Sequence, residues 1–269
     1  ALLHGPWPLG RQRDHGGGNQ RCGEPKRMTS GTLFGVGLGP GDPDLMSLRA
    51  HRLLGATRHV AYFRKAGRPG QARRIVEGLL RQDVTEFAME YPVTTEIPLS
   101  DPRYNDMLAN FYARCAEHVL DLLGSGQDVV VLCEGDPFFY GSFMHLYTRL
   151  KDLAPVQVVP AITGMSGAWT ATGTPITWGD DVMTVLMGTL PETTLSQHMA
   201  RADALVVMKI GRNLEKVRRA ITQAGRLSSA WLVEYATMPD EKVSRLSDVT
   251  DTVTPYFSIV IVHGQGRRP

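Results

Sequence analysis

The sequence predicts an α/β fold with a parallel sheet over its first 155 residues, on three observations. Short apolar runs alternate with amphipathic segments, the rhythm of strand–helix–strand units. The run "VVVLC" at 129–133 is apolar throughout, as in strands covered on both faces. Glycine-rich turns follow the strands, where helices of such units begin.

The elements follow in order. "TLFGVGL" is a first strand, and "DLMSLRAHRLLGA" has near-helical spacing at Leu45, Leu48, Leu53 and Leu54. "RHVAYF" is a second strand, "QARRIVEGLL" a helix and "VTEFAMEY" a third strand. "PVTTEIPLSDP" is a loop broken by prolines. "RYNDMLANFYARCAEHVLDLLGSG" is a long amphipathic helix closed by Gly124. After "VVVLC", "FFYGSFMHLYTRL" is a helix and "VQVVP" a strand. Beyond "GTPITW" the rhythm changes: strands "VMTVLMG", "ALVVMKI", "SAWLVEYA" and "YFSIVIVHG", helices "TTLSQHMA" and "LEKVRRAITQAG". This predicts a domain at 28–155 and another at 156–269, after an extension at 1–27.

Composition narrows the function classes. The chain has 269 residues, 42% of them apolar, and a formal charge of +2. Residues 1–27 hold five basic side chains against Asp14 and Glu24, so the remainder is close to neutral. That argues against a nucleic-acid partner. The extension is rich in Gly and Pro without apolar period and is expected to be disordered; Met28, just after it, is a candidate natural start. Cys22, Cys115 and Cys133 have neither zinc nor disulfide-framework spacing, which fits a reducing compartment. No apolar run approaches the ~20 residues that cross a bilayer. The expectation is a cytoplasmic protein with no membrane partner and no bound metal.

Three stretches carry the chemistry. In "GVGLGPGDP" the glycines are Gly35, Gly37, Gly39 and Gly41. A dinucleotide fingerprint needs Gly-x-Gly-x-x-Gly and a ribose-binding acid about 20 residues on. Counting from Gly35 the third position is Pro40, and from Gly37 it is Asp42. Residues 45–76 contain no Asp or Glu, and no Gly-Lys-Ser/Thr follows. "CEGDPFFYG" repeats the strand, Gly-Asp-Pro, helix theme at 133–141. Asp42 and Asp136 could each cap a helix that Pro43 or Pro137 starts. The alternative is a ligand in the crevice at the strands' carboxyl ends, with Gly135 letting it approach. The Asp136 carboxylate suits hydroxyls or an ammonium and repels phosphate. The third stretch, "VVPAITGMSGAWTATGTPITW", is dense in small residues: either a packed small-residue helix or a close approach to a flat ligand.

With these stretches in order, the chain resembles the tetrapyrrole methyltransferases that use S-adenosylmethionine. "LVVMKIGRN", "WLVEYATMPDEKV" and "PYFSIVIVHG" also match, so the likeness runs from about 32 to 264. Within the family, "CEGDPFFYGSFMHLYTRL" and "YPVTTEIPLSDP" look most like the branch acting on the C(20) meso carbon of a corrin precursor. The resemblance implies two α/β domains with a cofactor cleft between them, a homodimer and a tetrapyrrole substrate. It places cofactor contacts at Pro40, Gly135, Asp136, Phe139, Thr163, Gly164, Met208 and Ala236. Met208 and Ala236 would otherwise read as core residues. Gly164 and Phe139 depart from the family's usual Ser or Ala and smaller aliphatic. No catalytic base is identified.

Nine Lys and Arg lie between 45 and 82 against Glu77 alone. Arg64, Lys65 and Arg68, in a loop expected over the cleft, are candidates for gripping substrate carboxylates; a solvated basic face is the alternative. Rival readings are a same-fold methyltransferase acting on uroporphyrinogen III, cobalt-factor II or another corrin carbon, an NADP-dependent oxidoreductase, and a noncatalytic tetrapyrrole carrier.

Overall fold

The computed structural model describes residues 30–93 and 101–267. The extension at 1–27, Met28 and residues 94–100 of the proline-broken loop lie outside them.

Five strands form a wholly parallel first sheet: β1 (Leu33–Gly37), β2 (His59–Lys65), β3 (Thr85–Tyr91), β4 (Val129–Cys133) and β5 (Val156–Val159). Their order is β3-β2-β4-β1-β5. The helices are α1 (Leu48–Ala56), α2 (Gln71–Ile75), α3 (Pro102–Gly124) and α4 (Phe143–Leu150). Alternate residues of β4 enter opposite cores. Val129, Val131 and Cys133 pack with Phe111, Phe143 and Leu146 on the α3/α4 side. Val130 and Leu132 pack with Ala50, Leu54 and Ala72 on the α1/α2 side. Covered on both faces, β1 and β4 have no exposed position, which is why their sequences do not alternate. On α4, Phe143, Leu146 and Leu150 recur at helical spacing and are fully buried, each worth ~1.5–3 kcal/mol.

The second sheet, in order β6-β7-β10-β8-β9, contains β6 (Met183–Met187), β7 (Ala204–Met208), β8 (Ala230–Glu234), β9 (Lys242–Arg245) and β10 (Ser258–Val262). Only β6 and β7 run parallel; β10 is antiparallel to β7 and β8, and β9 to β8. Helices α6 (Glu192–Arg201) and α7 (Leu214–Gln223) cover one face. On the other, α5 (Gly164–Ala171) sets Ala168 against Val233 and Ile261.

The structure corrects several expectations. A boundary at 155/156 assigns β5 to the second half, but β5 pairs with β1 over four residues. The first element packed on the second sheet is α5. Strand β9 was missed because "KVSR" alternates too briefly to show a period. β2 runs through Arg64 and Lys65, so these are strand residues and not part of the following loop. The Gly-Asp-Pro turns do not open α-helices. Asp42 caps a three-residue 3-10 turn at Pro43–Leu45, and α1 starts after Ser47. Asp136 stands seven residues ahead of α4, which starts at Phe143.

Candidate active site

Five chain crossings meet above the carboxyl ends of β1, β4 and β5. The loops after β1 and β4 are zipped together: Leu38 N donates to Cys133 O at 2.9 Å and Gly135 N to Gly39 O at 2.8 Å. This needs bare backbone. A Cβ on Gly37 would lie 2.6 Å from the Ala161 Cβ and 2.8 Å from Gly135 O. Gly135 sits at φ +62, where an L side chain is strained.

Asp136 ties the second loop to the third. One oxygen accepts from Phe138 N at 2.9 Å, the other from Ala161 N at 3.0 Å. Asp136 thus acts first as a loop tether. Just beyond, Thr163 precedes α5 without a side-chain cap bond, so the first amides of α5 have no partner from that side chain. An ideal Cβ on Gly135 would be 3.6 Å from Gly164 N and 3.9 Å from Thr163 Cα.

The second sheet closes the junction. Asp42 N donates to Thr237 Oγ1 at 3.1 Å, and a Cβ on Gly167 would lie 2.9 Å from the Pro40 Cβ and 3.0 Å from Thr237 Cγ2. Ala236 packs beside Ala168, Val233 and Ile261. Met208 ends β7, and Lys209 after it sets its ammonium 5.7 Å from the centre of the Tyr140 ring, which meets Phe139 edge-on. Of the eight predicted cofactor residues, Pro40, Gly135, Asp136, Thr163 and Gly164 form one junction. Ala236 adjoins it through Thr237, and Met208 and Phe139 each precede a residue of the Lys209–Tyr140 contact.

Four non-glycine residues have positive φ among the described residues: Tyr140, Lys209, Tyr235 and Thr237. All lie in these crossings. Such strain concentrates at functional sites, and nothing in the local sequence announces it.

The neighbouring half, above β3, β2 and β4, is polar and aromatic. Arg64 pairs with Glu90 on β3 at 2.6 Å. Lys65 is also engaged, and Arg68 is exposed in the turn after β2. The three do not form a free basic rim. Tyr91 hydrogen-bonds Ser142, and His145 stacks on Tyr112 at 4.4 Å. Burial, then the Arg149 and Lys209 cations, lower the His145 pKa, favouring the neutral ring. From the second sheet, Tyr256 is 72% exposed as a residue. Surrounding protein and then the Glu134 carboxylate push its hydroxyl up to about 12. Glu134 is also open to water. Crowding by protein raises its carboxyl to about 7, against the lowering effect of the Ala72 amide. The sequence missed Glu134, Tyr140, Lys209, Thr237 and Tyr256. Only Glu134 carried a signal, as an acid ending an apolar strand.

Comparison with known proteins agrees with this architecture. The family model for tetrapyrrole (corrin/porphyrin) methylases matches residues 32–249. A precorrin-2 C(20)-methyltransferase from Sinorhizobium is 48% identical, over 89% of this chain and 98% of that protein. A cobalt-precorrin-2 C(20)-methyltransferase from Salmonella typhimurium is 27% identical, over 88% and 98%. The uroporphyrin-III C-methyltransferase of Thermus thermophilus complexed with S-adenyl homocysteine shares the fold. Its TM-score is 0.61 and its identity 24%, over 87% of this chain and 92% of that one.

Proposed function

The chain belongs to the tetrapyrrole (corrin/porphyrin) methylases, and from that premise we propose that it methylates precorrin-2 at C(20), giving precorrin-3A, with S-adenosylmethionine as donor. The observation that carries the reading is the convergence of three small-residue loops, through Gly37, Gly135 and Thr163, on one junction. The likeness to the Sinorhizobium enzyme selects the carbon.

The junction fits the donor. Bare backbone at Gly135, the opening amides of α5 and the Asp136 carboxylate suit a flat adenosine with an amino-acid tail and no phosphates. Pro40, Gly135, Asp136, Phe139, Thr163, Gly164, Met208 and Ala236 would hold it. When bound, S-adenosylmethionine supplies a methyl group on a sulfonium whose sulfur leaves as a neutral thioether. The protein's own contribution is orientation and exclusion of water. The zipped loops set the floor, and the Thr237 crossing closes the far side. Arg68, with Lys65 and Arg64 behind it, is the edge best placed for substrate carboxylates; Arg64 must exchange its Glu90 partner to take part. The family resemblance further supports a homodimer, which light scattering after gel filtration tests. Among the described residues no helix is long and apolar enough to cross a membrane.

The test is an assay with purified protein, S-adenosylmethionine and precorrin-2, read by mass spectrometry and NMR. One added methyl at C(20) is expected. Donor binding without transfer would overturn the substrate and direct the assay to the cobalt form. No donor binding would overturn the cofactor.

A further inference from the structure

Methylation of a meso carbon leaves one proton too many, and that proton needs an acceptor in the crevice. Two of the carboxylates around the junction are fully committed: Asp136 accepts from two backbone amides and Glu90 pairs with Arg64. Asp42, Glu241 and Glu134 each accept one backbone amide. Of these three, Glu134 stands at the end of the central strand. It follows β4 on the face of Val130 and Leu132, directly ahead of the Gly135 turn. One oxygen accepts from Ala72 N at 3.0 Å. That is its one hydrogen bond among the described residues, and the residue is exposed.

We propose that the Glu134 carboxylate accepts the proton released from the methylated meso carbon, an inference that rests on the tetrapyrrole reading of this crevice. The chemistry balances. The meso carbon forms a bond to the methyl carbon as the sulfur–methyl bond breaks, the sulfur keeping that electron pair. The meso C–H bond then breaks. Its electron pair restores the conjugated system and the proton passes to Glu134, then to water.

The surroundings support this role. Protein crowding holds the carboxyl near 7, so the group takes up and releases a proton near neutrality, as a general base should. Tyr256 faces it from the segment before β10, and Cys133 couples to it from its own strand. β2 sets Tyr62 against the same core face. On α2, Arg73 turns to Glu86 and Arg74 to Gln71, so neither is spent on Glu134.

The experiment compares the wild type with Glu134→Gln and Glu134→Asp. Binding of S-adenosylmethionine is read by calorimetry, melting temperature by scanning, and turnover on precorrin-2 across pH. Gln still accepts the Ala72 hydrogen bond, so unchanged donor affinity and an intact fold are expected. Its kcat should fall by about 100-fold or more, with loss of the wild-type rise in rate near neutral pH. Precorrin-2 deuterated at C(20) should then show a primary isotope effect absent from the wild type. Asp, a shorter base, should recover part of the rate. A Gln variant within about threefold of wild-type kcat with the same pH profile overturns the assignment. So does an Asp variant no faster than Gln. A wild type that transfers no methyl overturns the functional reading instead, and this inference with it.

Discussion

The two halves of the crevice are built on different physics. Over β1, β4 and β5 the walls are backbone: bare glycines, main-chain hydrogen bonds and one carboxylate holding two amides. Over β3, β2 and β4 the walls are side chains: the Arg64–Glu90 pair, Tyr91 with Ser142, the stack of Tyr112 and His145, and Glu134 facing Tyr256. In the proposed function the first half holds the donor, because little in it can move. The second offers long polar groups that can exchange partners, and is assigned there to the tetrapyrrole. Substitutions in the first half should therefore damage donor binding and stability together. Those in the second should separate substrate handling from both.

The largest effect is expected at Gly37. A Gly37→Val side chain would drive into Ala161 and Gly135 O. Overpacking of this kind costs about 1–3 kcal/mol, and donor binding should vanish by calorimetry. If a folded Gly37→Val protein still bound the donor with wild-type affinity, the backbone-built description of this half would be wrong.

Asp136→Asn comes next. The amide can accept from one of Phe138 N and Ala161 N but not from both through oxygen, so one tether is lost. Hydrogen bonds to charged groups are worth about 1.5–3 kcal/mol. A lower melting temperature and a donor Kd raised by about tenfold, or 1.4 kcal/mol, are expected.

Arg68→Glu sharpens the contrast from the other side. The KM for the tetrapyrrole should rise several-fold with donor affinity and melting temperature unchanged. Arg64→Ala should have a smaller thermal effect than Asp136→Asn, because an exposed ion pair contributes about 0–1 kcal/mol. Equal shifts in donor affinity and KM at Arg68 would remove the division between the halves.

The smallest effect concerns pH. The Glu134 carboxyl is raised from its ordinary 4.5 to about 7 in the folded chain. The native state therefore binds more protons than the unfolded one between these values, so this group's contribution to stability falls as pH rises through that window. Glu134→Gln should flatten the melting-temperature profile there; an unchanged slope would mean that water screens the carboxyl fully.

The two halves also differ in how far the sequence revealed them. The glycine-lined half was legible because its pattern is local. A glycine-rich turn after an apolar strand is contiguous, and five predicted contacts meet at one junction. The side-chain half was read through Arg64, Lys65 and Arg68 as a charge run, which carries no record of partners. Glu90, the partner of Arg64, lies 26 residues away on a neighbouring strand. Glu134 and Tyr256 approach each other across more than a hundred positions.

By itself, the sequence determined the parallel α/β first half, four of the five strands of the second sheet and the small-residue loops that converge on one junction. Each follows from short-range pattern: apolar runs, glycine next to an apolar strand, helical spacing. Tertiary structure alone decided that β5 completes the first sheet, that Asp136 serves two amides, and that four strained residues crowd one crevice. It also decided that Glu134 stands exposed with one oxygen held by the Ala72 amide. These depend on pairing between distant strands and on local dielectric. Neither is written in the spacing of residues, because hydrogen bonds and desolvation arise only when the chain brings remote groups together.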